Sequence, residues 1–481
     1  MIILTLLVYF LLLFAVSIFT TKQSSNSTFY RADKKSPWYM VAFGMIGASI
    51  SGVTFISVPG MVVKNDMTYL QMCIGFIFGY LVVTFILLPL YYKLNLTSIY
   101  TYLGKRLGPK SYLTGAYFFL LSKITGAAIS FYVVCMILQR FAFDELHIPF
   151  EVNVIIMVTF IWLYTFRGGI KTLVWTDSFQ TFCLLGALLL IIYYVIGNLS
   201  MNVSEAITAV SANKMSRIFV FDDWISTQNF WKQFFSGIFV VIVMTGLDQD
   251  KMQKNLTCKT LKEAQKDMCS YGVSFVPVNL LFLTLGVLLV MLARQQGQSL
   301  PAAADDLLPM FAATGKLGET VVILFTLGIV AASFSSADSA LTSLTTSYCI
   351  DIKKNNSDIK LRHRTHCMMS ILFAIVIILF RAINNTSLLD AIYTAVSYTY
   401  GPLLGLFAFG LFTKRQTKDD KVPYIAIAAP ILSFMISWGI KTATGYVMGY
   451  ELLMLNGAIT FVGLYLLPAQ CTPSAACRIP S

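Results

Sequence analysis

Apolar residues in this chain run in long blocks separated by short polar loops. The blocks fall near 2–20, 38–62, 69–92, 113–139, 150–166, 173–197, 233–249, 270–293, 319–347, 367–383, 388–413, 423–440 and 450–467. A run of about 20 apolar residues is long enough to cross a bilayer as a helix. Inside hydrocarbon the backbone must satisfy its own polar groups, so the choice is helix or closed barrel. A barrel would show short alternating segments instead. The pattern predicts an all-α polytopic membrane protein of about 13 transmembrane helices: a leading helix, ten core helices and two more.

Composition agrees with this pattern. The 481 residues are 57% hydrophobic and 12% charged, with mean hydropathy +0.72. A soluble chain would carry charge at about a quarter of its positions. The formal net charge of +12 would suit nucleic acid if it formed a basic face on a soluble domain. Instead the basic residues cluster in short loops, so the expected partner is the lipid bilayer and not nucleic acid. The leading helix lacks the basic start and cleavage site of a signal peptide. Its first charge is Lys22, which follows the helix and places the N-terminus outside. With that start, the cytoplasmic loops and tail hold about 25 of the 35 basic residues, including Lys251 and Lys254 in the loop after the sixth core helix. This asymmetry is the positive-inside pattern, and it leaves the C-terminus in the cytoplasm.

Candidate chemistry is limited. Nine cysteines show no metal-type pairing and are expected as free thiols, and the three histidines, His147, His363 and His366, fall in expected loops. No GxSxG or HExxH motif occurs, so an enzyme is not expected. A channel would draw its ligands from several subunits, and a sensor would carry a cytoplasmic domain.

Two stretches are too polar for their surroundings. The first core helix contains Gly47-Ala48-Ser49-Ile50-Ser51-Gly52-Val53-Thr54-Phe55-Ile56-Ser57-Val58-Pro59. Small residues let helices pack closely. The same composition also suits a helix that unwinds mid-membrane and offers freed carbonyls to a cation. In the eighth core helix, Ser335, Asp338, Ser339 and Thr342 follow a spacing that gathers them on one face. Serine can bond back to its own helix, but that does not account for a carboxylate in an apolar span. Oxygen ligands suit a hard cation. Asp177 in the fifth core helix could cap, snorkel or bind an ion. Lys123 in the third could snorkel, pair with an acid or meet an anionic substrate.

These stretches, together with Gly168-Gly169-Ile170 to Asp177, Gln249-Asp250 with the lysine-rich run to Lys266, Ser335-Ser336 leading to Asp351, and Gly401-Pro402-Leu403-Leu404-Gly405, resemble the sodium/solute symporter family over nearly the whole chain. The resemblance implies two inverted five-helix repeats with broken first and sixth core helices. The parts would be 1–36 (leading helix and loop), 37–200 (first repeat), 201–418 (second repeat) and 419–481 (two helices and a tail). It implies a sodium-coupled symporter that imports a small polar organic solute, such as a sugar acid, sugar, monocarboxylate or amino acid, by alternating access. Proton coupling through Asp338, or a channel, is the alternative. Carried over by position, Na+ would be held at a first site by Gly47, Ile50, Ala332, Ser335 and Ser336, and at a second by Asp177, Ser335, Asp338 and Ser339. Substrate positions map to Ser49, Ser51, Thr54, Tyr69, Cys73, Lys123 and Gly126. The arginine that grips the carboxylate in the sialic acid branch falls at Gly126.

Overall fold

The computed structural model describes residues 2–20, 25–144, 146–383 and 388–468. Lys22 and the tail from 469 onward lie outside the described residues. Apart from an isolated bridge between Ser36 and Cys258, the regular structure described is helical.

The membrane helices, in chain order, are α1 (Ile2–Thr20), α2 (two halves, α2a Trp38–Ser49 and α2b Gly52–Asn65), α3 (Tyr69–Lys93), α4 (Pro109–Leu138), α5 (Phe150–Gly168) and α6 (Ile170–Asn198). They continue with α7 (α7a Phe230–Gly246 and α7b Gln249–Asn255), α8 (Leu261–Gln295), α9 (Glu319–Ile352), α10 (Ile359–Ile383), α11 (α11a Leu388–Thr399 and α11b Gly401–Phe412), α12 (Val422–Thr444) and α13 (Leu452–Leu466). Among the described residues, seven helices are long and apolar enough to cross a membrane, or 10 if each bent pair counts as one. Leu4–Thr20, Phe150–Phe166 and Leu452–Leu466 are shorter apolar helices that coincide with the three remaining expected spans.

Three helices are broken. The halves of α2 are bent by 61°, those of α7 by 67° and those of α11 by 43°. Five crossings separate the start of α2 from that of α7. An odd number of crossings brings the second set of five in from the opposite side, so the two repeats, α2–α6 and α7–α11, are inverted. Each opens on a broken helix.

Packing explains why the breaks meet. The α6 helix lies against both α2a and α9, while α3 runs along α7a and α8 along α2b. Glycine sets the α3–α7a crossing: a Cβ on Gly75 would meet the Phe234 carbonyl oxygen at 2.2 Å, and one on Gly237 would meet the Met72 oxygen at 2.3 Å. Between helices in lipid, such close backbone contact supplies dispersion energy that hydrophobic burial cannot. Exposed Leu11, Phe19, Phe85, Ile371, Phe412 and Phe434 face outward, as a chain solvated by acyl chains requires.

Candidate binding sites at the helix breaks

At the α2 break the backbone leaves the helix at Ile50 (φ −87°, ψ 92°) and Ser51 (φ −77°, ψ 170°). A helix leaves its last four carbonyls without intrahelical partners, so α2a ends in a cluster of acceptors at the centre of the bundle. Glycines flank the break because neighbours press on it. A Cβ on Gly47 would lie 2.2 Å from Thr181 Oγ1, and one on Gly52 would lie 2.1 Å from Ser333 Oγ. Thr181 Oγ1 accepts a hydrogen bond from the Gly47 N–H at 3.1 Å, fixing α2a to α6. Pro59 lies inside α2b, well past the break.

Helix α9 faces this break. Ser336 Oγ donates to the Ala48 carbonyl and to the Ala332 carbonyl, each at 3.2 Å. Ser335 Oγ donates to Asp177 Oδ1 at 2.6 Å. Asp338 accepts from Tyr164 OH at 2.7 Å and from Ser339 Oγ at 3.1 Å, and Ser339 also donates to the Ser335 carbonyl at 2.8 Å. The four residues carried over to the second ion position, Asp177, Ser335, Asp338 and Ser339, therefore form one connected and buried network. It holds two members that the sequence did not single out, Tyr164 and Lys254. The Lys254 ammonium is 2.7 Å from Asp177 Oδ2, with both side chains almost fully buried.

The α7 break is built from charge. Asp248 caps α7b, its Oδ1 accepting from the Asp250 N–H at 2.8 Å. Its Oδ2 accepts from Tyr400 OH at 2.8 Å and from Lys123 Nζ at 3.1 Å. Lys123 Nζ also donates to Asp250 Oδ2 at 2.6 Å. Lys251 Nζ donates to the Ala48 carbonyl at 2.7 Å, so α7b reaches across to the α2 break. The sequence reading assigned Lys251 and Lys254 to a cytoplasmic loop. Both are buried in α7b instead and do not count as topology signals. His366 is likewise buried, within α10, between Thr165 Oγ1 and Thr345 Oγ1 at 2.9 Å each. It has left its expected loop because α10 begins at Ile359.

A cavity of about 160 Å³ lies beside both breaks. Ser49, Ser51, Thr54, Lys123 and Gly126 line it, with Tyr80, Tyr271, Phe76, Phe275 and Tyr393 supplying aromatic walls. Ser49 Oγ accepts from Tyr271 OH at 2.6 Å, and Tyr271 OH accepts from Tyr80 OH at 2.8 Å. Two expected substrate positions do not reach this wall. Cys73 is fully buried outside it, and Tyr69 instead hydrogen-bonds Tyr393 at 3.1 Å between hydroxyls. Both lie on the face of α3 that packs into the protein. Among the described residues no group of three or more His, Cys, Asp or Glu could hold a metal. The oxygens gathered here are carbonyls, hydroxyls and the carboxylates of Asp177 and Asp338, ligand types that suit a hard cation.

Comparison with known proteins decides the frame. A sequence model of the sodium:solute symporter family matches residues 29–420. The chain belongs to the sodium:solute symporter family. This symporter is similar to the sodium/sialic acid symporter NanT of Aliivibrio fischeri, with 26% identity covering 92% of this chain and 89% of the relative. It is also similar to the sodium/sialic acid symporter SiaT of Proteus mirabilis, with 24% identity over 85% and 84% of the two chains. Its fold matches a substrate-bound, outward-open Na+-coupled sialic acid symporter at a TM-score of 0.82, with 20% identity and 98% of each chain covered. The nucleobase-cation-symport-1 family transporter Mhp1 follows at a TM-score of 0.55 and 13% identity, over 92% and 93% of the chains. The family is one of transporters, not enzymes, with sodium as the coupling ion.

Proposed function

We propose that this symporter imports a small polar organic solute, binding it in the cavity beside Ser49, Ser51 and Thr54 and binding sodium between the α2 break and α9. One observation carries the reading: the end of α2a, where the helix stops and Ala48 offers its carbonyl to side chains, is bonded by Ser336 of α9 at the edge of the cavity. Gly47, Ile50 and Ala332 supply carbonyl oxygens to the ion and Ser335 and Ser336 supply hydroxyls. Solute and ion thus share one broken helix, so each alters the other's affinity by altering its shape. At the second position, Lys254 already compensates Asp177. This supports one sodium per solute at the first site.

The solute is small. An apolar cavity of roughly 150 Å³ holds benzene, and the cavity here is about 160 Å³. The sialic acid relatives share the frame, but position 126 is glycine in this chain and the basic groups on the wall are Lys123 and Lys251. The loop charges support an outside N-terminus and a cytoplasmic C-terminus, and the similarity to bacterial symporters supports a bacterial inner membrane.

Uptake of labelled sialic acid, galactose, proline, pyruvate and inositol into proteoliposomes, with and without an inward sodium gradient, tests the reading. Sodium-driven uptake of one solute, lost in Ser335→Ala plus Ser336→Ala, is expected. Uptake that follows a proton gradient and ignores sodium would sink it.

A further inference from the structure

The charges on the cavity wall are not equally satisfied. Lys123 is held by two carboxylates, Asp250 Oδ2 at 2.6 Å and Asp248 Oδ2 at 3.1 Å. Asp248 is held again by Tyr400. The Lys123 charge is thus matched by two acids, and its ammonium has little left to offer an anionic ligand. Lys251 differs. Its ammonium donates to one neutral oxygen, the Ala48 carbonyl at 2.7 Å. The carboxylate of Asp250 is 3.9 Å away, beyond hydrogen-bond reach and already engaged by Lys123. The Lys251 side chain is only 9% exposed, yet it lines the cavity. An ammonium has three donors; Lys251 uses one of them on Ala48 and has only a loose ion pair with Asp250, and buried donors left without acceptors are costly. Such a group is stabilised by an anion entering the space in front of it.

We infer that Lys251 anchors the carboxylate of the transported solute, which makes the substrate a small organic acid. This rests on the reading of the cavity as the solute site. The sequence alone suggested Lys123 for a carboxylate, but its two acid partners remove that charge from play. The position also links solute to ion. Ala48 accepts from both Lys251 and Ser336, and Ser336 is a carried-over sodium ligand. A carboxylate that draws the ammonium away from Ala48 leaves that carbonyl, one residue from Gly47, to the ion and its ligands. Solute binding then raises sodium affinity, and sodium raises solute affinity by the same factor.

The test uses the purified full-length protein in sodium buffer. Thermal stabilisation is titrated with pyruvate, lactate, proline and sialic acid, and with lactamide and prolinamide as carboxylate-free partners. At least one acid is expected to stabilise the wild type while its amide binds about tenfold more weakly or worse. Lys251→Met is expected to lose about tenfold or more in affinity for that acid, with Lys251→Arg recovering much of it. Sodium should sharpen acid binding in the wild type and leave Lys251→Met unmoved. If no acid stabilises the protein, if acid and amide bind alike, or if Lys251→Met binds the acid as the wild type does, the assignment is wrong. Should Lys251→Met fail to fold, the acid–amide ratio of the wild type still decides. Sodium-driven uptake of galactose or inositol alone would overturn the assignment and keep the proposed function. Absence of sodium dependence for every solute would overturn the function itself.

Discussion

The two breaks at the centre of this symporter are built from opposite materials. At α2 the chain unwinds among Gly47, Ser49, Ser51 and Gly52, and its partners on α9 are hydroxyls. At α7 it unwinds next to Asp248, Asp250, Lys251 and Lys254, and its partners are formal charges on α4 and α6. A neutral cluster of dipoles attracts an ion without holding it permanently, because no fixed counter-charge stands in the way of release. A charged cluster that compensates itself is costly to disturb and changes little when an ion passes. The α2 break is thus suited to binding that reverses each cycle, and the α7 break to holding a geometry and presenting the donors of Lys251 to the cavity.

The comparison can be broken most severely at the Lys254–Asp177 pair. Asp177→Asn strands a buried ammonium, and removal of one partner of a buried pair costs about 3–5 kcal/mol. Unfolding in detergent should show this loss, and a double variant with Lys254→Met should recover most of it. A single variant of wild-type stability would mean that the pair is not buried as described. Next comes crowding at the neutral break. Gly52→Ala forces a Cβ to within 2.1 Å of Ser333 Oγ, and overpacking of this kind costs about 1–3 kcal/mol. Sodium-driven uptake should fall sharply and return when Ser333→Gly is added. Failure of that rescue would move the constraint to the backbone.

Smaller effects sharpen the contrast. Ser336→Ala removes one hydroxyl from the ion's expected shell and one bond to Ala48. At about 1 kcal/mol per such bond, the sodium concentration for half-maximal uptake should rise severalfold while stability in sodium-free buffer barely changes. The smallest shift is expected for Tyr271→Phe. Ser49 loses its donor at 2.6 Å, worth about 0.5–1.5 kcal/mol. A rise in KM for the solute with an unchanged sodium response would keep Ser49 on the solute side of the break.

The neutral half of the site was legible in the sequence; of the charged half, Lys123 and Asp177 were singled out but their neighbours Asp248, Lys251 and Lys254 were not. Gly47 to Thr54 offered a break as one of two readings, close helix packing being the other, and the structure shows both, with the chain leaving the helix at Ile50 and Ser51 while neighbours press on Gly47 and Gly52. The chain then continues as helix through Pro59. Ser335 and Asp338 were found because one face of a buried helix carried too much oxygen. Lys251 and Lys254 were missed because a basic residue at the edge of an apolar block looks the same whether it marks a cytoplasmic loop or turns inward. Their spacing three apart, directly after Asp248 and Asp250, was the available sign. The α11 break, between Thr399 and Gly401, was also missed, although Gly401-Pro402 stands in the sequence as its mark. Tyr69 and Cys73 were carried over by position, and position along a helix does not say which face a side chain takes.

The same two lysines also have a mechanical meaning. They project three residues apart from a half-helix of seven residues, and each grips a different body: Lys251 the end of α2a, and Lys254 the N-terminal third of α6 at Asp177. Held at two points, α7b is coupled to both α2a and α6, and a solute that releases the Lys251 contact leaves only the grip on α6, beside the bend of 67° where α7a ends.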